Sequence, residues 1–481
     1  MNTGRRDFLK GTAWMGAAAV MAGCQCERLG FGSGGSMQGF AMKPMKKLRV
    51  GVIGIGSRGT GAVHRLAMIP GLEVAAVCDR KQHRVDGVLK WLAEKKFPRP
   101  QTFVGDEAWK DLCDWDGVNV VYIDTPWALH ARMALRALRN GKPAFVEVPS
   151  ALTLDECWEL VETSEAMRTP CMILENCCYG EMEMLCLNLV RSGLLGDIVH
   201  GEGAYIHDLR FHSCVDGRDG ENEWRYYENR AHKGNRYPTH GLVPIMQVMD
   251  INRGDRFDYL VSLESDQANC EAFIRENLPA YHPRRRDKIE MGDMNTTLIK
   301  TVRGRSIMVQ HDVSSPRPYS RLNLVTGTKG VFWGMPWRNP SGPTFKLAWE
   351  DKSGDMKAHT FFPPERAAEI RERFRHPLWK QAGEVAKKVG GHGGIDFIMD
   401  LRWAYCLQNG IPLDMDVYDL ATSSCLCELT ERSVRARSAS VDVPDFTRGG
   451  WKTARPLGIV DFDMSKIDFG RTMKDDAALS V

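Results

Sequence analysis

The sequence predicts an α/β protein of two unlike halves: a doubly wound parallel sheet first, then an α+β domain with an open, largely antiparallel sheet. Three features carry this expectation. Apolar runs of strand length alternate with helical patterns early in the chain, as in LRVGVI, LEVAAVCD and VNVVYID. Such runs are buried on both faces, which a parallel sheet requires. A glycine-rich turn, Gly54-Ile55-Gly56-Ser57-Arg58-Gly59, closes the first run and opens a helical pattern. Beyond about residue 198, several strand candidates alternate apolar and polar residues. Alternation marks a sheet with one face on helices and the other in water.

At 481 residues the chain is long enough for two domains, each with its own core. Its 64 basic and 61 acidic residues nearly cancel, and no long run of either sign occurs. That argues against nucleic acid or an anionic membrane surface as the main partner. No apolar segment reaches the roughly 18 residues that span a bilayer.

Residues 1–46 read as a signal and tether. In TGRRDFLKGTAWMGAAAVMAGC the pair Arg5 and Arg6 precedes a short stretch of small apolar residues, the pattern of a twin-arginine export signal. The protein is therefore expected in the periplasm or anchored to a membrane as a lipoprotein. Met21 to Cys24 resembles a lipoprotein cleavage box, which offers Cys24 as a lipid anchor, although Met21 is atypical there. Fourteen cysteines would suggest disulfides in an exported chain. The twin-arginine route, however, carries proteins already folded among reduced thiols. Cys78 ends an apolar run, and Cys186 and Cys406 sit in helical patterns, so most read as small buried hydrophobes. No CxxC pair or Cys/His spacing suggests zinc, and no metal is expected.

Residues 47–175 form the expected dinucleotide-binding domain. Gly54, Gly56 and Gly59 allow a tight turn and let the backbone approach a pyrophosphate at a helix N-terminus. The next apolar run ends on Asp79, at the spacing where a carboxylate accepts the ribose hydroxyls and repels a 2′-phosphate. This favours NAD, while Arg80 next door leaves NADP open. VNVVYID reads as a buried parallel strand, ALHARMALRALRNG as a helix capped by Gly141, and PAFVEVP as the next strand. Ligands in such sheets lie beyond the carboxyl ends of the strands, where Thr125-Pro126-Trp127 and Glu147-Val148-Pro149 fall.

In GNRYPTHGLVP, Pro238 pushes Tyr237 into an extended conformation, and the helical spacing that follows puts His240 in a first turn. A helix N-terminus disfavours a protonated imidazole, and a neutral histidine serves as a general base. A capping histidine with a stacking tyrosine is the other reading of the same residues. Tyr179, after Cys177-Cys178, reads as a core tyrosine at a strand-to-helix turn.

The glycine loop, Asp79, Thr125-Pro126 with His130, and Gly141-Lys142 before Glu147-Val148-Pro149 resemble the glucose–fructose oxidoreductase and inositol dehydrogenase superfamily, whose first domain is a Rossmann fold. Most of that superfamily has Glu-Lys-Pro, with a lysine used in hydride transfer; this chain has Val148. ENCCYGEMEMLCLNLVRSG, HGEGAYIHDLR, YPTHGLVPIMQVMDINRGDRFDYLVS and HGGIDFIMDLRWAYCLQNG narrow the resemblance to glycoside hydrolase family 109, NAD-dependent α-N-acetylgalactosaminidases that also lack this lysine. The resemblance implies that Ser57, Arg58, Asp79, Trp127, Ala128, Leu129, His130, Glu147, Val148 and Asn176 contact NAD. It implies sugar contacts from Tyr205, Arg225, Tyr237, Pro238, Thr239, His240 and Tyr319, with Tyr237 and His240 catalytic.

An ordinary glycosidase needs two carboxylates at the glycosidic bond. The family implies instead oxidation at C3, elimination across C1 and C2, addition of water and reduction, with NAD regenerated. A sugar dehydrogenase that releases NADH, or a non-catalytic NAD-bearing sugar-binding lipoprotein, are the competing readings. Residues 176–390 form the expected second domain, with strands near 198–208, 257–265, 295–303, 306–313 and 320–326. The superfamily uses this sheet for oligomer contacts, so a homodimer is expected. Residues around 281–290 and 336–343 read as surface loops, helices within 391–435 as packing back on the first domain, and 436–481 as a tail.

Overall fold

The computed structural model describes residues 35–215, 223–335, 344–347 and 360–469. Arg5, Arg6, Cys24 and the 336–343 loop lie outside the described residues.

The first sheet holds β1 (Leu48–Ile53), β2 (Leu72–Asp79), β3 (Gln101–Val104), β4 (Val120–Ile123), β5 (Ala144–Val146) and β6 (Cys171–Ile173), in the order β3-β2-β1-β4-β5-β6. All pairings are parallel. β4 is buried at every position and β1 at all but Arg49, because helices cover both faces. The order reverses between β1 and β4, and a crevice opens there beyond the strand ends. Thr153 and Glu156 form a capping box that starts the helix Leu154–Met167.

The second sheet holds β7 (Ile198–Ile206), β8 (Phe257–Glu264), β9 (Asn295–Thr301), β10 (Ser306–Asp312), β11 (Leu324–Gly327), β12 (Gly330–Trp333), β13 (Thr344–Leu347) and β14 (Val441–Asp442). Their order is β13-β12-β11-β7-β10-β9-β8-β14, antiparallel except where β7 pairs with β10. The strand expected over 320–326 begins only at Leu324. Leu322 (φ 57°) and Asn323 (φ 51°) are left-handed and break the extended run. Ser320 makes only an isolated bridge to Ile206.

Two expectations about the ends are corrected, and one about the helices before them is refined. Residues 35–46 are not a free tether: Met37 is buried, its N–H donates to the Tyr418 hydroxyl, and Met45 N–H donates to the Leu407 carbonyl. Residues beyond 436 are more than a tail, since β14 edges the second sheet and Phe446 and Phe462 are buried. The helix Leu426–Arg435 bridges the two domains: Glu428 accepts from Leu154 N–H of the first at 2.6 Å, and the helix lies along β8 of the second, with Ser433 Oγ accepting from Ser262 N–H at 2.9 Å.

Two helices position the site. Ile395–Asn409 is buried almost throughout. Its Trp403 stacks on Phe145 of β5 at 4.2 Å, and its Asp400 accepts from Arg65 of the helix Ser57–Ala67 at 2.9 Å. The helix Thr239–Val248 lies on β7. Pro244 interrupts its hydrogen-bond ladder, since proline cannot donate to the carbonyl of His240. All twelve described cysteines are buried and free.

Candidate active site

β1 delivers the chain into Gly54, whose φ of 89° and close neighbours admit no side chain. A Cβ there would stand 2.1 Å from the Asp124 carbonyl, and one on Gly59 would stand 1.9 Å from the Gly54 carbonyl. Gly56 caps the helix Ser57–Ala67 without a side-chain bond, so its first backbone N–H groups remain available to an anion. At the end of β2, Asp79 is 5% exposed and accepts from Ile55 N–H at 2.8 Å and Lys81 N–H at 2.9 Å. Gly54, Gly56 and Asp79 line a cleft of about 920 Å³ with Ser57, Arg58, Trp127, Leu129, His130, Glu147 and Val148. Asp124 Oδ2 also borders this cleft, buried and without a hydrogen-bond partner. The crowded glycine turn, free helix end and terminal carboxylate fit a dinucleotide.

Several expected cofactor residues engage one another. Arg58 and Glu147 form an ion pair at 2.6 Å, and Arg58 lies 3.5 Å from Asp396. Burial alone would lower the Arg58 pKa, but the charges of Glu147 and Asp396 hold it raised. His130 ties two loops together, with Nδ1 2.8 Å from the Pro149 carbonyl and Nε2 2.6 Å from the Thr125 carbonyl. Burial keeps its pKa below the usual histidine range. Val148 presents a buried apolar wall. Ala128 is exposed and does not line the cleft. Asn176 lies behind the cleft, and its amide donates to Asp396 Oδ1 at 2.5 Å.

Beyond Trp127 the cleft meets the second domain at Tyr237. The Tyr237 ring lies 5.5 Å from Trp127 and 4.5 Å from Tyr205. Arg225 spans this cluster, with its guanidinium 4.9 Å from the Trp127 ring, 4.8 Å from Trp224 and 5.5 Å from Tyr237. Tyr237 Oη is 3.3 Å from His240 Nε2. His240 Nδ1 is 2.7 Å from Oε1 of Glu175, a fully buried carboxylate just after β6. Tyr205 Oη lies 3.0 Å from His207 Nδ1, and Tyr319 Oη accepts from Arg321 at 2.9 Å. Arg321 is in turn paired with Glu183 at 2.8 Å. Pro238 and Thr239 are buried and start the helix that carries His240. Tyr179 is in the core, donating to Asp414 at 3.2 Å.

The structure thus gathers Tyr205, Arg225, Tyr237, His240 and Tyr319 at one end of the cleft. It adds Glu175, His207, Trp224 and Arg321, which the sequence reading did not assign to the site. Burial drives the Tyr237 pKa far above its ordinary value, with Tyr205 adding to it, so the group is a phenol at neutral pH. Burial would also raise Glu175, but its pairing and hydrogen bond with His240 outweigh that and hold the carboxyl below its usual range. Cys177 approaches the same pair, and burial pushes its thiol pKa well up.

Fold and cleft together define an NAD-binding protein of oxidoreductase architecture with an aromatic, polar pocket at the end of its cofactor cleft. Residues 48–174 match the oxidoreductase family NAD-binding Rossmann fold, and residues 179–453 match the glycosyl hydrolase 109 C-terminal domain. The chain belongs to glycosyl hydrolase family 109: it is a glycoside hydrolase, and NAD is its cofactor. A family 109 protein of Shewanella pealeana is 44% identical over 468 residues, covering 96% of this chain and 100% of the relative. A protein of Shewanella oneidensis named α-N-acetylgalactosaminidase is 43% identical, covering 95% and 99%. Among solved structures, levoglucosan dehydrogenase in complex with NADH and levoglucosan matches 83% of this chain and 100% of its own, with TM-score 0.61 and 16% identity. The apo scyllo-inositol dehydrogenase of Lactobacillus casei gives TM-score 0.57 at 12% identity, over 83% and 99%. At those identities the likeness concerns the fold.

Proposed function

We propose that the enzyme removes terminal α-linked N-acetylgalactosamine by oxidation, elimination, addition and reduction. The substrate reading rests on the close relative named for that activity. The mechanism rests on one observation: Tyr237, which closes the cofactor cleft, holds its hydroxyl 3.3 Å from His240 Nε2. NAD, when bound, would supply the hydride acceptor and donor for C3, so that the net reaction is hydrolysis. The chain's own residues handle protons. One leaves O3 as the alcohol becomes a ketone, and the ketone then makes the C2 proton acidic. Its removal expels the aglycone from C1; water adds at C1 and a proton returns to C2. Tyr237 and His240 carry these transfers, each worth roughly 10²–10⁴ in rate. Arg225 and Tyr319 hold hydroxyl or N-acetyl groups.

A panel of α- and β-linked chromogenic sugars, given to the purified enzyme without added NAD, tests this reading. Cleavage of the α-N-acetylgalactosaminide is expected. Product formed in deuterated water should carry deuterium at C2. Cleavage with no deuterium at C2 overturns the elimination, and NADH release without cleavage makes the protein a sugar dehydrogenase.

Arg5 and Arg6 support export by the twin-arginine route, to the periplasm or to a lipid anchor at Cys24. Retention of an Arg5→Lys, Arg6→Lys precursor in the cytoplasm is the expected result, and unchanged export is the contrary one. Tyr259, Leu263 and Leu298 stand exposed on one face of β8 and β9, which supports a homodimer through that face. Sedimentation of the purified protein as a monomer at assay concentration counts against it.

A further inference from the structure

Glu175 belongs to the first domain and His240 to the second, 65 positions apart, yet their side chains meet at 2.7 Å. Glu175 is 0% exposed. Its Oε1 accepts from Cys177 N–H at 3.0 Å and faces His240 Nδ1, and the Thr239 hydroxyl approaches the same carboxylate. A carboxylate taken out of water is costly unless a charge or donor compensates it. The ionisable donor at hand is His240.

We propose that Glu175 is the positioning residue of His240, fixing its tautomer and supplying the counter-charge for the imidazolium that forms when Nε2 takes a proton. This inference rests on His240 being a proton-transfer group. A carboxylate only accepts, so Nδ1 carries the hydrogen, and in the neutral imidazole Nε2 then presents its lone pair. Nε2 then accepts from the Tyr237 hydroxyl, which is a phenol. Every donor in the chain Tyr237 to His240 to Glu175 therefore points the same way. A proton arriving at Tyr237 from the sugar is passed to Nε2, and the charge formed there sits against Glu175. The groups that face the imidazole are Glu175 and Cys177 from the segment after β6, Tyr205 and His207 from β7 and its end, and Tyr237 from the helix approach. Glu175 is the one carboxylate among them.

A purely structural role is also available to Glu175, because Oε1 caps the turn Asn176–Tyr179 through Cys177 N–H. Glutamine keeps that acceptor and the volume but loses the charge. Steady-state kinetics of Glu175→Gln, Glu175→Asp and His240→Ala holoenzymes separate the two roles. Glu175→Gln is expected to lose roughly 10²–10⁴ in kcat, with KM within about threefold and bound NAD unchanged. The acid limb of its kcat/KM profile should move to lower pH, since the imidazolium has lost its counter-charge. Glu175→Asp, which keeps the charge, should recover part of the loss. An inactive His240→Ala with a Glu175→Gln that keeps wild-type kcat and an unmoved acid limb overturns the pairing and leaves the role of His240 intact. A fully active His240→Ala overturns that role itself. Should Glu175→Gln fail to fold, imidazole ¹⁵N resonances of the wild-type holoenzyme decide: protonated Nδ1 supports the pairing, unprotonated Nδ1 overturns it.

Discussion

Gly241 lies against Gly203 with no room for a side chain on either: a Cβ on Gly203 would stand 2.0 Å from the Gly241 carbonyl oxygen, and one on Gly241 would stand 2.2 Å from Ala204 N. This backbone contact seats the helix Thr239–Val248 on β7 and brings the His240 ring 5.4 Å from Tyr205.

Gly203→Ala or Gly241→Ala must therefore push the helix outward. The expected result is a stability loss of about 1–3 kcal/mol with kcat down at least about tenfold and bound NAD retained. Gly87→Ala is the control: nothing lies within 4 Å of its Cβ position on an exposed helix face, so stability should rise by about 0.5–1 kcal/mol. Thermal melts and chromogenic kinetics check all three, and an unaffected Gly241→Ala would refute the contact's role.

Asp79 is held ready by the Ile55 and Lys81 N–H groups. Asp79→Ala should yield protein with little bound NAD, while the wild type releases NAD and no NADP on denaturation. Chromatography of the supernatant after acid precipitation measures both, and full occupancy in the variant would contradict the assignment.

Arg65 is buried between Asp400 at 2.9 Å and Asp396 at 3.6 Å. Removing it as Arg65→Met strands buried carboxylates, at a cost of about 3–5 kcal/mol. Replacing the partner as well, in Arg65→Met, Asp400→Leu, should recover most of that loss. Denaturant titrations of the single and double variants give the comparison; equal stabilities for the two would show that Asp400 is not the stranded charge.

His311 on β10 is buried, and burial followed by the charges of Arg225 and Arg236 pushes its pKa down to about 3. Neutral in the folded state and protonated in the unfolded one, it contributes stability that is present above the unfolded pKa of about 6.5 and lost as pH falls through about 3. Across that window the wild type should lose about 1.4 kcal/mol more per pH unit than His311→Leu. Chemical denaturation at several pH values reads the difference in slope, and parallel slopes would refute it.

What was legible in the sequence follows from what is local. The glycine turn, Asp79 and the buried runs of the first sheet are fixed by short-range geometry, and the structure places them at the cleft. The start of the helix at Thr239 was readable from Pro238. Glu175 was not, because its partner is brought to it only by the joining of two domains. ENCC contains it, but nothing in the motif's spacing points to His240. Asn176 shows the reverse: its resemblance to a cofactor residue was visible, while its amide's commitment to Asp396, 220 positions on, was not. The two-residue β14 carries too short a pattern to be seen before β8 supplies its partner.

Asp396 has one further consequence. One of its oxygens faces Arg58 in the dinucleotide cleft, and the other holds Asn176, the neighbour of Glu175. A shift of Arg58 towards a pyrophosphate thus reaches, through a single carboxylate, the residue beside the one that steadies His240. Coupling of this kind is reciprocal by thermodynamic necessity. The factor by which dinucleotide tightens sugar binding must equal the factor by which sugar tightens dinucleotide binding, and calorimetric titration in both orders measures it.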